Sequence, residues 1–186
     1  MSAEARRESL IDTTLKLLRT HGRDITTRQI AEAEGVAEGT IFRQFDTKDE
    51  LVEAALQRAF DPGPLLDRVR GIDHDQSLEL RMVALVALLQ QRLKATFALM
   101  QKVGAIRPPN DHTPEAEAFR TAMSEATTTL IGDDADRLTM TAEEAVHRLR
   151  MLTFAASHPH ISDGHGLTPD QIVDTVLYGV LTRGEH

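Results

Sequence analysis

Along this chain threonines stand three residues ahead of a glutamine or glutamate, among them Thr26 with Gln29, Thr47 with Glu50, and Thr141 with Glu144. This is the spacing of the capping box. The hydroxyl takes the N–H of the third helical residue, and the longer side chain reaches back to the cap backbone. Each pair therefore marks a helix start. Between these starts Ala, Leu, Glu, Gln and Arg dominate, and β-branched runs with strict alternation are absent. The chain is expected to be all-α.

The first helix is expected over Ala3 to His21, with Leu10, Thr14, Leu17 and Leu18 on one face and Gly22 as its C-terminal stop. A short helix follows from Thr26 to about Glu34, and Gly35 breaks it. A second short helix covers roughly Ala37 to Gln44. Thr47 opens a fourth helix through about Phe60, which Asp61-Pro62-Gly63-Pro64 stops or bends. A long apolar-periodic stretch covers Gln76 to about Val103 and is interrupted by Gly104 and Pro108-Pro109. Pro114 suits the first turn of a helix to about Ile131. Thr141 opens another to about Ser157. After a polar loop from His158 to Gly166, Thr168-Pro169 opens the last, ending near Leu181. About nine helices result. The boundary falls near residues 45–50, giving a three-helix domain over 1–47 and a larger helical domain over 48–186, with the fourth helix as connector.

Bulk properties narrow the function. The absence of cysteine among 186 residues excludes disulfides, thiolate metal sites and thiol nucleophiles. Met1 to Leu10 is polar and charged rather than an apolar signal segment. The longest apolar stretch, Met82 to Leu89, falls well short of a bilayer span. A cytoplasmic protein without a membrane partner is expected. Net charge is −8, the wrong sign for a simple nucleic-acid binder. Residues 1–60 nevertheless hold 9 Lys+Arg against 11 Asp+Glu, so the excess acid lies mostly in the rest of the chain. DNA binding needs a local basic face rather than a basic whole, and charge alone decides nothing.

Two short helices joined by a tight glycine-containing turn form a helix-turn-helix. Ile30 and Ala31 face inward from the first, Gly35 permits the positive φ of the turn, Val36 plugs the core, and Ile41 and Phe45 pack the second. Glu38, Thr40, Arg43 and Gln44 are left to point outward. In a helix-turn-helix that outward surface enters the major groove.

The stretch TTRQIAEAEGVAEGTIFRQFDTKDELVEAAL resembles the DNA-binding segment of the tetracycline-repressor (TetR) family. Thr-Thr precedes the first short helix and Ile-Ala lies inside it. Gly-Val-Ala-x-Gly-Thr follows, and a Lys-x-x-Leu closes the pattern. The resemblance covers about 45 positions, a quarter of the chain; the remainder matches in length and helical pattern only. It implies that Thr27 and Arg28 contact phosphate, that Thr40 contacts the backbone or a thymine methyl, and that Lys48 sits near phosphate at a helix N-terminus. Phe42 stands where the family usually has tyrosine, and Gln44 where it often has histidine. Phe42 loses a hydroxyl but can touch sugar or a thymine methyl. Arg43 is the candidate for reading guanine through bidentate bonds to O6 and N7. Glu38 can accept from cytosine N4, yet an acidic residue in a first helical turn is also ordinary dipole chemistry.

The resemblance also implies a homodimer on a palindromic double-stranded operator. Two recognition helices must sit about 34–36 Å apart to read it. The last two helices carry the expected interface: Val146, Leu149, Ile172, Val173, Val176, Leu177 and Val180, a stripe that would otherwise be intrachain core. A ligand pocket among the middle helices would be lined by Leu89, Leu93, Phe97, Met100, Phe119, Met123 and Met151, with Arg92, Thr96 and Thr127 as polar anchors. Such a lining suits a small hydrophobic ligand. The family mechanism would have that ligand shift the body helices and pull the recognition helices out of register, releasing a repressor.

Rival readings are weaker. Catalysis lacks a Gly-rich phosphate loop, a Gly-x-Ser-x-Gly elbow and any singled-out carboxylate pair, so no enzyme and no cofactor are expected. A metal sensor would draw on His158, His160, His165 and Asp163 in one loop and His147 on the preceding helix, but His-x-His in a loop is usually solvated. A helical protein-binding adaptor would need an apolar or acidic recognition face, and Thr40, Arg43 and Gln44 make it polar and partly basic.

Overall fold

The computed structural model describes residues 2–104 and 114–179. The expectations at Pro108-Pro109, at Val180 and at the end near Leu181 lie outside the described residues. Nine α-helices and two 3-10 turns are present among those described, and no strand. The helices are α1 Ala3–His21, α2 Thr27–Glu34, α3 Glu38–Ile41, α4 Lys48–Phe60, α5 Gly63–Arg70, α6 Leu78–Val103, α7 Pro114–Ile131, α8 Ala142–Ser157 and α9 Pro169–Tyr178.

Capping accounts for most of these boundaries. The hydroxyls of Thr26, Thr47 and Thr141 accept the N–H groups of Gln29, Glu50 and Glu144. The return half forms at Thr26, where Gln29 Oε1 accepts the Thr26 N–H at 2.8 Å. Elsewhere other partners take the carboxylate: Glu50 accepts the Asp46 N–H at 2.7 Å, and Glu144 pairs with Arg148 at 2.8 Å. Thr168 and Gln171 form a further complete box at α9. The helix α5 was not expected, since Pro62-Gly63-Pro64 reads as a stop. Pro64 falls in its first turn, where the missing N–H costs nothing.

Two compact units are built from these helices. The first comprises the residues up to Asp61 together with those from Thr96 to the end of α6. Its core is Leu10, Leu18, Ile25, Ile30, Ile41, Phe45 and Leu51, all nearly inaccessible, joined by Leu99 and Val103. The helix α4 belongs here rather than to a second domain starting at residue 48, because Leu51, Val52, Ala55 and Leu56 are buried in this core. Each fully buried Val or Leu side chain stabilises by roughly 1.5–3 kcal/mol, so Leu51, Val52 and Leu56 fix α4 to this unit. Gly22 sits at φ 68°, and a Cβ there would lie 2.5 Å from the Lys102 carbonyl oxygen. Glycine thus serves both the helix stop and a close backbone approach.

The second unit comprises Pro62–Ala95 and the described residues from Pro114 on. Val69, Leu85, Val86, Leu130, Ile131, Leu149, Ile172 and Val173 form its core. Arg81 is buried within it. Its Nη1 donates to the Leu130 carbonyl at 2.6 Å and its Nη2 to Asp134, so the charge is paired where burial would otherwise be prohibitive. By length and composition α6 passes as a membrane span, which the unbroken run Met82 to Leu89 does not reveal. Leu78, Met82, Leu85, Val86 and the ion-paired Arg81 are buried in protein, within a window that is 28% buried.

This core corrects the expected dimer surface. Val146, Leu149, Ile172 and Val173 are 5 %, 2 %, 0 % and 1 % exposed in the single chain. They hold α8 and α9 to their own subunit and have no surface to offer another. Of the expected stripe, Val176 and Leu177 are half-buried and pack against the same core.

Candidate nucleic-acid interface

The first unit presents two short helices on a three-helix scaffold. The turn between α2 and α3 is made by Gly35 at φ 72°, ψ 34°, the left-handed conformation that glycine adopts without a Cβ penalty. The Gly35 N–H donates to the Ala31 and Glu32 carbonyls, and the Val36 N–H to Ala31 at 3.0 Å. The last carbonyls of α2 are thereby satisfied, and the chain reverses into α3. Regular α-helix ends at Ile41, but the N–H groups of Gln44 and Phe45 both bond to the Ile41 carbonyl, at 2.9 and 3.0 Å. The turn they close carries the coil on to Phe45, which is 2 % exposed and anchors the segment in the core.

What this anchoring exposes is the candidate interface. Phe42 is 50 % exposed, and Arg43 is exposed with no ion pair among the described residues. Thr40 and Gln44 are half-buried at its edge. An exposed phenyl ring beside an arginine without a carboxylate partner lacks an internal explanation. Nearby side chains are occupied. Thr27 Oγ1 donates to Glu38 Oε1, joining the starts of α2 and α3, so Glu38 is held by a neighbour rather than left open for a base. Arg28 pairs with Glu32 one turn on at 2.8 Å, and this hydrogen bond raises its already high pKa. Lys48 is half-buried, and its ammonium donates to the carbonyls of Ile25 at 3.1 Å and Arg23 at 3.5 Å. It pins the chain that leads into α2, and one of its three donors is left over.

Two features of this unit escaped the sequence reading. Glu34, at the end of α2, accepts from Ser9 and Thr13 at 2.5 Å each and lies 3.7 Å from Arg6. The Arg7 guanidinium stacks 4.5 Å over the Phe45 ring. Both orient the helix-turn-helix on α1. Neither leaves a local signal, because the partners are 21 to 38 residues apart. Gly39, already present in the Gly-Val-Ala-x-Gly-Thr pattern, is a separate case. It has no positive φ, and a Cβ there would meet nothing within 4 Å. Neither backbone geometry nor packing inside the chain calls for a glycine.

The expected ligand residues divide. Leu89, Arg92, Leu93 and Met151 line one open groove in the second unit. Met123 and Thr127 are buried core, with the Thr127 hydroxyl donating to the Met123 carbonyl at 2.8 Å, so it is no free anchor. Phe119 packs against that same core. Thr96, Phe97 and Met100 fall in the first unit, so the ten do not form one pocket. In the histidine loop the His160 N–H donates to His158 Nδ1 at 3.3 Å, and His165 Nδ1 lies 3.0 Å from the Asp163 carbonyl oxygen. Among the described residues no three metal-ligating side chains converge.

Comparison with known proteins places these features. Residues 10–55 match the family described as bacterial regulatory proteins, tetR family. A 64-residue stretch, 33% of this chain, is 42% identical to the uncharacterized HTH-type transcriptional regulator YvkB of Bacillus subtilis, and it spans only 34% of that protein. The TetR transcriptional regulator SCO0520 from Streptomyces coelicolor aligns over 96% of this chain and 99% of its own, with TM-score 0.54 and 20% identity. The fatty acid degradation regulator FadR from Bacillus halodurans aligns over 96% and 97%, with TM-score 0.62 and 15% identity. At those identities the two structures establish the shared fold, while the sequence match rests on α1 to α4. Residues 10–55 are thus similar to the DNA-binding segment of the tetR family of bacterial regulatory proteins, and the fold is the one these solved structures share.

Proposed function

We infer that this protein is a cytoplasmic, sequence-specific DNA-binding repressor that works as a homodimer and is released from a palindromic operator by a small ligand. The observation that supports the reading is the exposed pair Phe42 and Arg43, held outward on a turn anchored in the core by Ile41 and Phe45. Arg43 reads guanine in the major groove, Phe42 lies against sugar or a thymine methyl, and Thr40 and Gln44 contact the flanking backbone or base edges. Arg28, the remaining Lys48 donor and the backbone N–H of Thr27 at the start of α2 face phosphate. Glu38 contributes by holding Thr27 in place. Dimerisation uses the outward sides of α8 and α9, including Val176 and Leu177. Ligand binding shifts the second unit and acts only through different affinities for the two states.

The test is a selection from a random duplex library with purified protein. A palindromic consensus is expected, with affinity falling steeply as salt is added. Arg43→Ala relaxes one symmetric position by about 1–3 kcal/mol per contact. Failure to enrich any sequence even at low salt refutes the reading.

A further inference from the structure

Arg7 stands in the second turn of α1, where a positive charge has no local reason to be. The helix begins at Ala3, and the N-terminal end of a helix favours acids over bases. Among the described residues the Arg7 side chain makes no hydrogen bond and no ion pair. Neighbouring acids are engaged elsewhere or stand apart: Glu8 accepts from Arg58, Glu34 from Ser9 and Thr13, and Glu4 makes no ion pair with it. What holds Arg7 is the Phe45 ring, whose centroid lies 4.5 Å from the guanidinium carbon. Phe45 is the buried residue that closes the recognition turn, two positions after Arg43. A ring face attracts the guanidinium by its charge and leaves the N–H donors of the fork for other acceptors. Those donors are not shut in. Buried side-chain polar atoms without a partner are confined to Thr14 and Arg81 among the described residues, so the Arg7 donors are open to solvent. Arg6 and Lys48, also half-buried in this unit, are committed: Arg6 lies 3.7 Å from Glu34, and the Lys48 ammonium is bonded to two carbonyls.

A planar cation, fixed on one face and with its donors unspent, calls for an anion with two oxygens. We propose that Arg7 is a phosphate-binding residue: Phe45 fixes the guanidinium, and the free donors take oxygens of the duplex backbone. A guanidinium fork matches two oxygens of one phosphate. Ordering a long side chain is an entropic cost of such a contact, and the hold of Phe45 reduces it before DNA arrives. The contact adds affinity and orientation but carries no sequence information. This inference rests on the DNA-binding reading and adds to it a contact from α1, outside the two short helices. Arg7 also lies ahead of residues 10–55, so the family match does not assign it.

The full-length protein and Arg7→Met are titrated by fluorescence anisotropy with the selected operator and with a shuffled duplex, across about 50–200 mM salt. Methionine keeps a polarizable apolar cover on Phe45 and removes the charge. Arg7→Met is expected to weaken both duplexes by a similar factor and to keep the ratio between them. The slope of log K against log salt should fall by about 0.9 per subunit, or about 1.8 in a dimer. Arg7→Lys, which keeps a positive charge, should retain most of the slope. An unchanged slope in Arg7→Met overturns the proposal and leaves Arg7 as a cover on Phe45, visible only in the melting temperature. A loss confined to the operator overturns it too, because a base would then be the acceptor. A second measurement needs no variant: phenylglyoxal labelling of the parent protein, read by peptide mass. Arg7 is expected to label in the free protein and to be protected by the duplex. Equal labelling with and without duplex, or none in the free protein, overturns the proposal. The failures separate. A parent that binds no duplex removes the DNA reading and this inference with it; a parent that binds, with Arg7 unprotected and the slope unchanged, removes this inference alone.

Discussion

Gly39 offers the sharpest separation between folding and function. It lies near the start of α3, it is exposed, its φ is not positive, and a Cβ there meets no atom within 4 Å. In the isolated protein Gly39→Ala therefore introduces no clash. It removes unfolded-chain entropy and improves helix propensity, together about 0.5–1 kcal/mol in favour of the native state. For a chain of this length that is a rise of roughly 1–4 °C in melting temperature. In the proposed complex the same methyl would stand between the α3 backbone and the duplex. If Gly39 is there to let the backbone approach, loss of the contact in each subunit should weaken binding at least about tenfold, or ~1.4 kcal/mol. The assay is a melting curve beside a fluorescence-anisotropy titration on the selected operator. A variant that is more stable but binds DNA poorly is expected. Unchanged operator affinity would refute the argument that the open space belongs to a partner. A lowered melting temperature would refute the local argument that nothing in the chain needs glycine here.

Three further outcomes follow from packing and charge. Gly22→Ala should destabilise the protein by roughly 2–4 kcal/mol, measurable by urea unfolding, because φ 68°, ψ −152° is a glycine-only conformation and the Lys102 carbonyl oxygen lies 2.5 Å from the new Cβ. Thr14 is fully buried with no hydrogen-bond partner for its hydroxyl among the described residues, so Thr14→Val should stabilise by about 1 kcal/mol; a loss of stability on denaturant unfolding would mean that the hydroxyl is satisfied after all. Glu79 accepts from the Tyr178 hydroxyl, and this bond, its own backbone N–H, Ser77 and Arg137 lower its pKa from the ordinary 4.5 to about 2. A folded pKa below the unfolded one adds stability that is complete above pH 4.5 and disappears as pH falls through about 2. Glu79→Gln should therefore be less stable than the parent at neutral pH and show a shallower loss between those limits, read from urea midpoints across the range.

Local chemistry made much of this protein legible in advance. A capping threonine, a glycine in the left-handed region and an apolar residue every third or fourth position act within a few residues of one another. For that reason the helix starts at Thr26, Thr47 and Thr141, the turn at Gly35 and the outward placement of Arg43 could be read from the chain. The helix-turn-helix is nearly all local, which is also why its family is recognisable in a quarter of the sequence. Sidedness is another matter. An apolar stripe on α8 or α9 is the same pattern whether it meets its own subunit or another, and α6 and α7 decided the question by burying Val146, Leu149, Ile172 and Val173. The partners of Lys48 and Glu34, the close approach of Gly22 to Lys102, and the assembly of Arg92 and Arg150 on one groove each join residues more than 20 positions apart. No periodicity encodes such meetings. They exist only once the helices have packed and each side chain has found which neighbours its face was turned toward.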